Sequence, residues 1–392
     1  MKVAINGIGI AGPTLAWWLK RFGHEPVLFE KSPVLRTGGY LIDFWGIGYD
    51  IAEKMGVLPE VNRQGYLISD MQMVDHEGKR VARLDFEIMR TLVNNRLTSI
   101  LRGDLAEILF NACKGVDARS GVSITGIQDL KDSTRVQFSD GSEDAFDLVI
   151  GADGLHSKVR SLVFGDEAQF EKPLGYYVTA FKVKGYPYRD DLKVVSHTIS
   201  GKQVIRASLR DDVTVFLLIC RAECIEKVPE TMAEIRATSQ QVFGEMGWET
   251  REILAHMQDE EIYFDRVSQI RMTRWAKGRV ALVGDAVACA SLLAGEGTGL
   301  AMTEAYVLAG ELHRNHGNFA VAFQNYERIL QSFLAGKQKS AIQFAEFFAP
   351  RSQLHLLLRN LGARLSNIPW VANHFVVRSF RDDVILPEYE NI

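Results

Sequence analysis

Short, continuous apolar runs occur in the first half of the chain and again near residue 280, and each leads into a glycine-rich or acidic turn. Runs of this kind are typical of strands that are buried on both faces of a parallel sheet. The four runs are residues 2–6, 26–29, 146–150 and 278–283. Between the first two, residues 13–21 have the apolar spacing of a helix that ends near Gly23. The pattern predicts an α/β fold with a Rossmann-like domain.

The pattern changes from about residue 171 to strands in which apolar and polar residues alternate. Glycine-bearing turns separate some of these strands, so we expect an antiparallel sheet inserted into the first domain. The predicted strands are residues 175–184, 194–200, 203–210 and 213–220. Farther along, residues 319–348 and a stretch around 352–380 carry apolar stripes at helical spacing. Such stripes most often pack in a core or between domains.

The first two apolar runs and the glycines between them form one unit. Gly7, Gly9 and Gly12 have the spacing G-x-G-x-x-G, and Glu30 ends the second run. In a dinucleotide-binding unit, such glycines allow a tight turn, close approach to a pyrophosphate and close helix packing, while the acidic residue binds a ribose. The unit by itself does not distinguish NAD binding from FAD binding. The alternative interpretation is a glycine-rich turn that is followed by a glutamate by coincidence. The residues expected at the site are Gly7, Gly9, Ala11, Gly12, Glu30 and Lys31.

Length and charge narrow the function classes. At roughly 100–200 residues per domain, 392 residues suggest two or three domains. The 45 basic and 49 acidic side chains give a net charge of −4, without the basic excess that nucleic-acid binding normally needs.

We find no membrane-spanning stretch and no secretory leader, so we expect a soluble protein. The four cysteines form neither a disulfide framework nor a strong metal motif, which favours a cytoplasmic protein without metal.

Three further motifs occur in a recognisable order. Residues 151–160 read G-A-D-G-L-H-S-K-V-R, residues 284–286 read G-D-A after a strand, and residues 295–299 read G-E-G-T-G before a helix. Together with the first glycine unit, this order resembles the FAD-dependent aromatic hydroxylases, the group A flavoprotein monooxygenases. The resemblance runs from residue 1 to about residue 330. It implies non-covalent FAD, NADPH or NADH as a transient reductant, and reaction of O₂ through a C4a-hydroperoxyflavin.

The resemblance also assigns roles to individual residues. Asp285 would bind the ribityl hydroxyls, and Arg102 would meet the FAD phosphates unless it is a solvated charge at a helix start. Asp153 would lie near the pyrophosphate, and the alternative is that it caps a helix together with Ser157. For residues 36–43 the alternative to a loop beside the flavin is an ordinary surface turn. The cofactor-binding residues implied are Arg36, Gly39, Asp43, Arg102, Asp153, Asp285, Gly295, Gly297, Thr298 and Gly299.

A narrower resemblance is to the tetracycline destructases, the flavin monooxygenases that oxidise tetracyclines. The matching segments are WLKRFG at 18–23, LRGDL at 101–105, GWET at 247–250, YFD at 263–265 and LPEYE at 386–390. The resemblance implies hydroxylation and inactivation of tetracycline-type antibiotics. The chain departs from the family at the late glycine-rich turn, where Ser291 and Gly299 stand in place of the Pro and Asn of many members. A hydroxylase of another phenolic or polyketide natural product and a non-hydroxylating flavoprotein reductase remain alternatives.

The resemblance implies a discontinuous FAD-binding domain, a substrate-binding domain and a C-terminal helical segment that bridges them. Their expected limits are residues 1–72, 97–170 and 266–335 for the first, 73–96 and 171–265 for the second, and 336–392 for the third. One face of the predicted sheet would line the substrate pocket, with packing in the sheet core as the alternative. The candidates for this role are Tyr177, Thr179, Phe181 and Phe216. We expect a monomer in which the flavin, rather than a protein side chain, carries the chemistry.

Overall fold

The computed structural model describes residues 1–35, 39–257, 262–368, 382 and 384–389. Its strands are β1 (Lys2–Asn6), β2 (Glu25–Glu30), β3 (Leu41–Trp45), β4 (Asp70–Val74), β5 (Arg80–Asp85), β6 (Leu97–Leu101), β7 (Asp117–Ser120), β8 (Ile124–Asp129), β9 (Thr134–Phe138), β10 (Glu143–Phe146), β11 (Leu148–Gly151), β12 (Glu171–Lys184), β13 (Lys193–Ile199), β14 (Lys202–Ser208), β15 (Val213–Arg221), β16 (Tyr263–Ile270), β17 (Ala276–Lys277) and β18 (Val280–Leu282). Its α-helices are α1 (Ala11–Arg21), α2 (Ile47–Lys54), α3 (Leu58–Gln64), α4 (Phe86–Leu92), α5 (Arg102–Ala112), α6 (Lys158–Val163), α7 (Met232–Phe243), α8 (Thr250–Ala255), α9 (Asp285–Ala288), α10 (Gly297–Arg314), α11 (Phe319–Phe348) and α12 (Gln353–Leu365).

The continuous apolar runs form a mostly parallel sheet, as the sequence predicts. Its strand order is β17-β18-β11-β1-β2-β7, and only the short β17 pairs antiparallel to its neighbour. In the register of β1 and β11, Asn6 lies opposite Gly151. The glycine turn after β1 and the Gly-Ala-Asp-Gly turn after β11 therefore leave the sheet side by side. The predicted α/β class with a Rossmann-like domain is confirmed.

Two different layers cover this sheet. On one side α1 packs against α10, where the buried indole of Trp18 meets the ring of Tyr306 edge to face at 4.8 Å. On the other side the small sheet β10-β9-β8 covers β2, and Phe138 stacks on Phe29 at 4.4 Å. Burial of these large rings is the main stabilising term of the domain core, since each removes about 150–250 Å² from water. The three layers hold the carboxyl ends of the strands in fixed positions.

The alternating strands form a seven-stranded sheet in the order β16-β12-β15-β14-β13-β4-β5. Its pairs are antiparallel except that of β13 with β4, which is parallel and joins two distant parts of the chain. The four strands expected from the sequence are present as β12 to β15. Helices α7 and α8 cover one face, and the other face packs against the 3₁₀ turn Leu292–Ala294 and the end of α11.

Helix α11 spans both sheets. At about 1.5 Å per residue its 30 residues extend roughly 45 Å. Near its start the Tyr326 hydroxyl donates to the carbonyl of Leu282 in β18, and near its end Ala345 packs with Ile219 of β15. The expected helical stretch around 352–380 is observed as α12, and residues 369–381 lie outside the described part. Among the described residues, no helix combines the length and the apolar character that crossing a bilayer requires.

Candidate functional site

The turn after β1 has no room for side chains at two of its glycines. Gly7 has a φ of +113°, and a Cβ there would overlap the carbonyl oxygen of Ala152. A Cβ at Gly12 would overlap the carbonyl oxygen of Gly7. The Gly7 N–H donates to the Phe29 carbonyl at 2.7 Å, which fixes the turn against β2. Helix α1 therefore starts close to the strand end, with its first N–H groups at the edge of the sheet.

Glu30 lies beside this turn at the end of β2. Its two carboxylate oxygens accept the N–H groups of Ile8 and Ser32, each at 3.0 Å. These bonds orient the carboxylate, and an ionised carboxylate has further lone pairs for hydroxyl donors. Lys31, which follows it, is exposed. The observed position suits the ribose-binding role that the sequence predicts for Glu30.

The later motifs meet the first one at the same edge. Ala11 lies against Gly284, whose φ is +65°, and a Cβ on Gly284 would be 3.1 Å from the Ala11 Cβ. Asp285 then begins α9, and its Oδ1 is 3.8 Å from the position of a Cβ on Gly297. The Arg102 guanidinium reaches the first turn, with Nη2 3.7 Å from the position of a Cβ on Gly9. Four segments that are far apart in sequence thus converge.

Burial and charge act together at this edge. Burial raises the pKa of Asp285, and the nearby positive charge of Arg102 opposes that shift. Burial also raises the pKa of the Tyr40 hydroxyl to about 12. The backbone N–H of Arg102 donates to the Tyr40 carbonyl at 3.1 Å, so the arginine and the loop before β3 are held together. The Arg102 guanidinium and the Asp285 carboxylate therefore lie near each other at this edge.

A small, partly open cavity of about 20 Å³ lies between the loop around β3 and the late glycine-rich turn. Asp43, Gly295 and Gly299 are among its lining residues. Asp43 accepts a hydrogen bond from Ser99 Oγ at 2.6 Å. Thr298 is buried in the first turn of α10. Gly39 lies next to Arg102, whereas Arg36 is outside the described residues. The structure thus brings Gly39, Asp43, Arg102, Asp285 and the turn at 295–299 to one edge of the sheet.

Asp153 has the contacts of a helix cap. Its carboxylate accepts hydrogen bonds from Asn6 Nδ2, Ser157 Oγ and the backbone N–H groups of Lys158 and Val159, at 2.5 to 3.1 Å. These contacts correspond to the capping alternative that the sequence left open. Because Asn6 ends β1, the cap also ties α6 to the first glycine turn. Asp153 therefore positions the site through the backbone.

The four candidate substrate residues lie on the sheet face that α7 and α8 cover. Phe181 stacks on Phe216 at 5.0 Å, and Tyr177 stacks on Phe264 at 5.5 Å, all within the core beneath these helices. Thr179 has the same strand parity and is buried. Their positions correspond to the alternative interpretation, in which these residues pack in the sheet core instead of lining a substrate pocket. The opposite face, which meets the turn Leu292–Ala294, carries the even-numbered residues of β12, among them Tyr176 and Val178.

Comparison with known proteins places this geometry in a family. A family model for an FAD-binding domain matches residues 1–317. The tetracycline destructase Tet(51) superimposes with a TM-score of 0.83 at 33% identity, over 99% of both chains. A flavin-dependent monooxygenase of Legionella longbeachae is 32% identical over all of this chain and 99% of its own. The uncharacterized protein Rv1260 of Mycobacterium tuberculosis is 38% identical over 86% of this chain and 91% of its own.

The chain belongs to the flavin-dependent monooxygenases with an FAD-binding domain of this family. It is therefore an FAD-dependent monooxygenase, an oxidoreductase, as the sequence motifs predict. Klebsiella pneumoniae HpxO, solved with FAD and uric acid, is only 20% identical and shows the shared fold alone, with a TM-score of 0.79.

The residues of this flavoenzyme fit FAD. The glycine cradle that a Cβ would fill at Gly7 and Gly12 allows backbone to approach a pyrophosphate. The N-termini of α1 and α10 supply N–H donors and partial positive charge. Glu30 and Asp285 can accept hydrogen bonds from ribose and ribityl hydroxyls, and Arg102 can pair with phosphate. The described residues hold no group of three or more His, Cys, Asp or Glu arranged for a metal ion.

Sequence reasoning missed a buried acid beneath the Gly284-Asp285 turn. Glu304 of α10 accepts the Gly284 N–H at 2.6 Å and lies 3.3 Å from the Tyr326 hydroxyl. Burial raises the pKa of Glu304 well above its usual range, and the Gly284 N–H opposes this. In the sequence this role is indicated only by a glutamate among the mostly apolar residues of α10, which also contains Glu311. The carboxyl supports the turn that carries Asp285.

Arg160, part of the motif at 151–160, also acts from behind the site. Its side chain is fully buried and donates to the Ala286 carbonyl at 2.9 Å, to the Leu155 carbonyl at 2.6 Å and to Glu167 at 2.7 Å. These acceptors bind both terminal nitrogens of the buried guanidinium, whereas its Nε has no hydrogen-bond partner among the described residues. The arginine therefore connects the turn after β11 with the turn that carries Asp285.

Proposed function

We propose that this monooxygenase hydroxylates tetracycline-type antibiotics with NADPH and O₂, and so inactivates them. The observation that carries the proposal is the similarity to tetracycline destructase Tet(51), which covers 99% of both chains at a TM-score of 0.83. It therefore includes the seven-stranded sheet and the C-terminal elements as well as the FAD-binding part of the chain.

In the proposed mechanism the protein binds and orients FAD and shields the reaction from water. When bound, FAD supplies the redox chemistry, taking hydride from the reduced nicotinamide and activating O₂. Glu30 and the turn at Gly7–Gly12 hold the adenosine and pyrophosphate end, with Arg102 as the phosphate cation. Asp285 holds the ribityl hydroxyls. The N–H groups at Gly297–Gly299, at the start of α10, stabilise the negative charge that develops when the ring is reduced.

Exclusion of water is the second task of the protein. The pKa values of Tyr40 and Asp285 are raised because the surrounding protein partly desolvates these side chains, whereas Asp43 is exposed. A low local dielectric strengthens the hydrogen bonds to a bound ligand. It also limits the loss of a reactive oxygen species to solvent. We expect the substrate to approach from the face of β12 that carries Tyr176 and Val178, since this face meets the glycine-rich turn.

A second candidate within the same chemistry is a hydroxylase of another phenolic or polyketide natural product. The observation that favours it is the close approach of Gly48 to Gly299 in the cavity wall, where a Cβ on Gly48 would be 2.5 Å from the Gly299 Cα. Many tetracycline destructases carry Asn rather than Gly at this place in the turn. A wall built from two glycines presents a different surface to the substrate ring system.

The test is to incubate the FAD-loaded enzyme with NADPH, ¹⁸O₂ and a panel of tetracyclines, followed by mass spectrometry. The expected product contains one ¹⁸O atom, and antibiotic activity falls with its formation. Asp285→Ala serves as the control, because the variant should purify largely colourless and form no product. NADPH oxidation without oxygen incorporation would support the reductase alternative. Incorporation only into other phenols would replace the proposed substrate class.

A further inference from the structure

Lys337, in the middle of α11, is a buried lysine that the FAD-binding motifs do not include. Its side chain is 7% exposed, and its Nζ lies 3.2 Å from Glu296 and 2.8 Å from Asp382. The aromatic rings of Trp45 and Phe333 flank the ammonium at 5.8 and 5.6 Å. Lysine is almost never buried unless it is paired. A buried cation with two carboxylates therefore requires a structural or functional reason.

The two carboxylates belong to different segments of the chain, and each is joined to backbone that lines the cavity. Glu296 stands between Gly295 and Gly297, in the turn that leads into α10. Asp382 accepts the N–H of Ile47, the first residue of α2, with its second oxygen at 2.9 Å. Gly46, which precedes Ile47, has a φ of +67°, and a Cβ there would lie 2.5 Å from Asp382 Oδ2. Through these two carboxylates, Lys337 connects the turn at 295–297, residue 382 and the backbone at Gly46–Ile47.

The same cluster forms part of the cavity wall. Glu296 and Asp382 line the cavity together with Asp43, Gly48 and Gly299. Of these three residues, Asp43 is in β3, Gly48 in α2 and Gly299 in α10. The family shows FAD binding by this chain, and the cavity lies between the two segments to which the motifs assign the flavin ring. A movement of either carboxylate would therefore move the backbone that faces the ring.

We propose that Lys337 is a positioning residue, and that its ion pairs with Glu296 and Asp382 make Asp382 part of the FAD site. The physical reason is charge. Without the ammonium, two carboxylates remain in a desolvated wall with no cation between them, and a buried carboxylate without a partner is strongly unfavourable. The turn at 295–297 and the loop at Gly46–Ile47 then lose their common anchor.

The experiment compares Lys337→Met with Lys337→Arg and the wild-type enzyme. Removing the cation should weaken FAD binding to the apoprotein by about tenfold or more, which is the size expected when a buried ion pair loses one member. It should also shift the midpoint potential of bound FAD to more negative values, because the reduced flavin carries negative charge. Arginine keeps the charge, so Lys337→Arg should recover most of the affinity and the potential.

Asp382→Asn tests the second ion pair without removing the acceptor for the Ile47 N–H, and should weaken FAD binding in the same direction. Glu388→Gln is the matched control, since Glu388 pairs with Lys54 at 2.8 Å on an exposed part of the same C-terminal segment. The control should bind FAD like the wild type. FAD affinity is measured by quenching of flavin fluorescence and the potential by spectroelectrochemistry, so neither readout depends on the substrate.

Wild-type affinity and potential in both Lys337→Met and Asp382→Asn would overturn the proposal. So would lower thermal stability of the apoproteins with unchanged FAD binding, since this result would limit the cluster to folding. If Lys337→Met does not fold, Asp382→Asn and Lys337→Arg still decide the question. If the tetracycline assay fails while FAD affinity and potential change in the variants as predicted, only the substrate proposal is contradicted.

Discussion

Two glycines of the turn after β1 have different roles: one is required for folding and the other for cofactor binding. Gly9 and Gly12 belong to the same motif, yet their surroundings differ. A Cβ at Gly12 would overlap the Gly7 carbonyl, whereas a Cβ at Gly9 would meet only the end of the Arg102 side chain at 3.7 Å. The protein itself therefore needs Gly12, and only the ligand needs Gly9.

We predict that Gly9→Ala leaves the unfolding free energy of the apoprotein within about 0.5 kcal/mol of the wild type, because the added methyl finds space. The same variant should bind FAD about tenfold more weakly or worse, since the methyl occupies the approach of the pyrophosphate. Gly12→Ala should lose both stability and FAD. Chemical denaturation of the apoproteins and flavin titration give the two quantities. Wild-type FAD binding by Gly9→Ala would contradict the assignment of this turn.

His156 connects the two domains electrostatically. It lies 2.9 Å from Glu167 and 3.2 Å from Asp265, and these hydrogen bonds, that with Asp265 most strongly, raise the pKa of the imidazole to about 9. A raised folded-state pKa means that the contribution to stability is fully present below pH 6.5 and is lost as the pH rises through about 9. The side chain is more than half exposed, so solvent screens the effect.

The predicted measurement is an NMR titration of the His156 imidazole, with a midpoint near 9. His156→Gln should remove the part of the pH dependence of unfolding that lies between pH 6.5 and about 9. A midpoint at the ordinary value of histidine would show that the ion pairs with Asp265 and Glu167 do not form in solution.

At the scale of elements, α12 is attached to the seven-stranded sheet through its polar side chains. Arg359 donates to Thr198 Oγ1 at 3.0 Å, and Arg364 donates to the Val81 carbonyl at 2.8 Å. The apolar side chains of the helix point outward, with Leu354 and Leu357 about two thirds exposed. This orientation reverses the usual arrangement of a surface helix. Hydrogen bonds therefore hold α12 in place together with one small apolar contact, in which Ala363 packs against Met73 and Ala82.

We propose that α11 and α12 bridge the two domains and shape the substrate entrance. Replacing Arg359 and Arg364 together by Ala should then raise the KM for substrate several-fold while FAD binding is unchanged. Steady-state kinetics and flavin titration on the same preparation separate the two effects. An unchanged KM in a folded double variant would exclude a role for α12 at the entrance.

At the scale of the whole molecule, the segment 384–389 returns to the FAD-binding half and packs on α10. Tyr389 is completely buried, its hydroxyl donates to Glu311 at 2.8 Å, and its ring meets Tyr306 edge to face at 5.2 Å. Gly310 leaves the space for this ring, because a Cβ there would overlap it. The packing links residues that are 78 positions apart in sequence.

Tyr389→Ala should lower the unfolding free energy by about 3–5 kcal/mol, the usual cost of removing a buried aromatic ring. Tyr389→Phe should cost only about 1–3 kcal/mol, because it leaves the Glu311 carboxylate with one donor fewer. Urea denaturation of the holoenzyme measures both. Equal effects of the two variants would show that the hydroxyl, and not ring packing, holds the segment.

Local patterns in the sequence determined several of the strands and helices and the α/β class, and the order of the motifs along the chain indicated the cofactor. The continuous apolar run at 2–6 is β1 residue for residue, and the glycine spacing after it has one stereochemical explanation, because a Cβ does not fit. The apolar stripe at 319–348 is α11 with the same limits. Such features are short-range, so neighbouring residues are sufficient to specify them.

Tertiary structure decided which face of each element meets the site. Strand periodicity places Tyr177 and Phe181 on one face, but only the packing of α7 and α8 shows that this face is core. The same holds for Glu304 and Lys337, whose roles depend on contacts with distant turns. Long-range contacts of this kind leave little trace in the local sequence, because they depend on how complete elements are brought together.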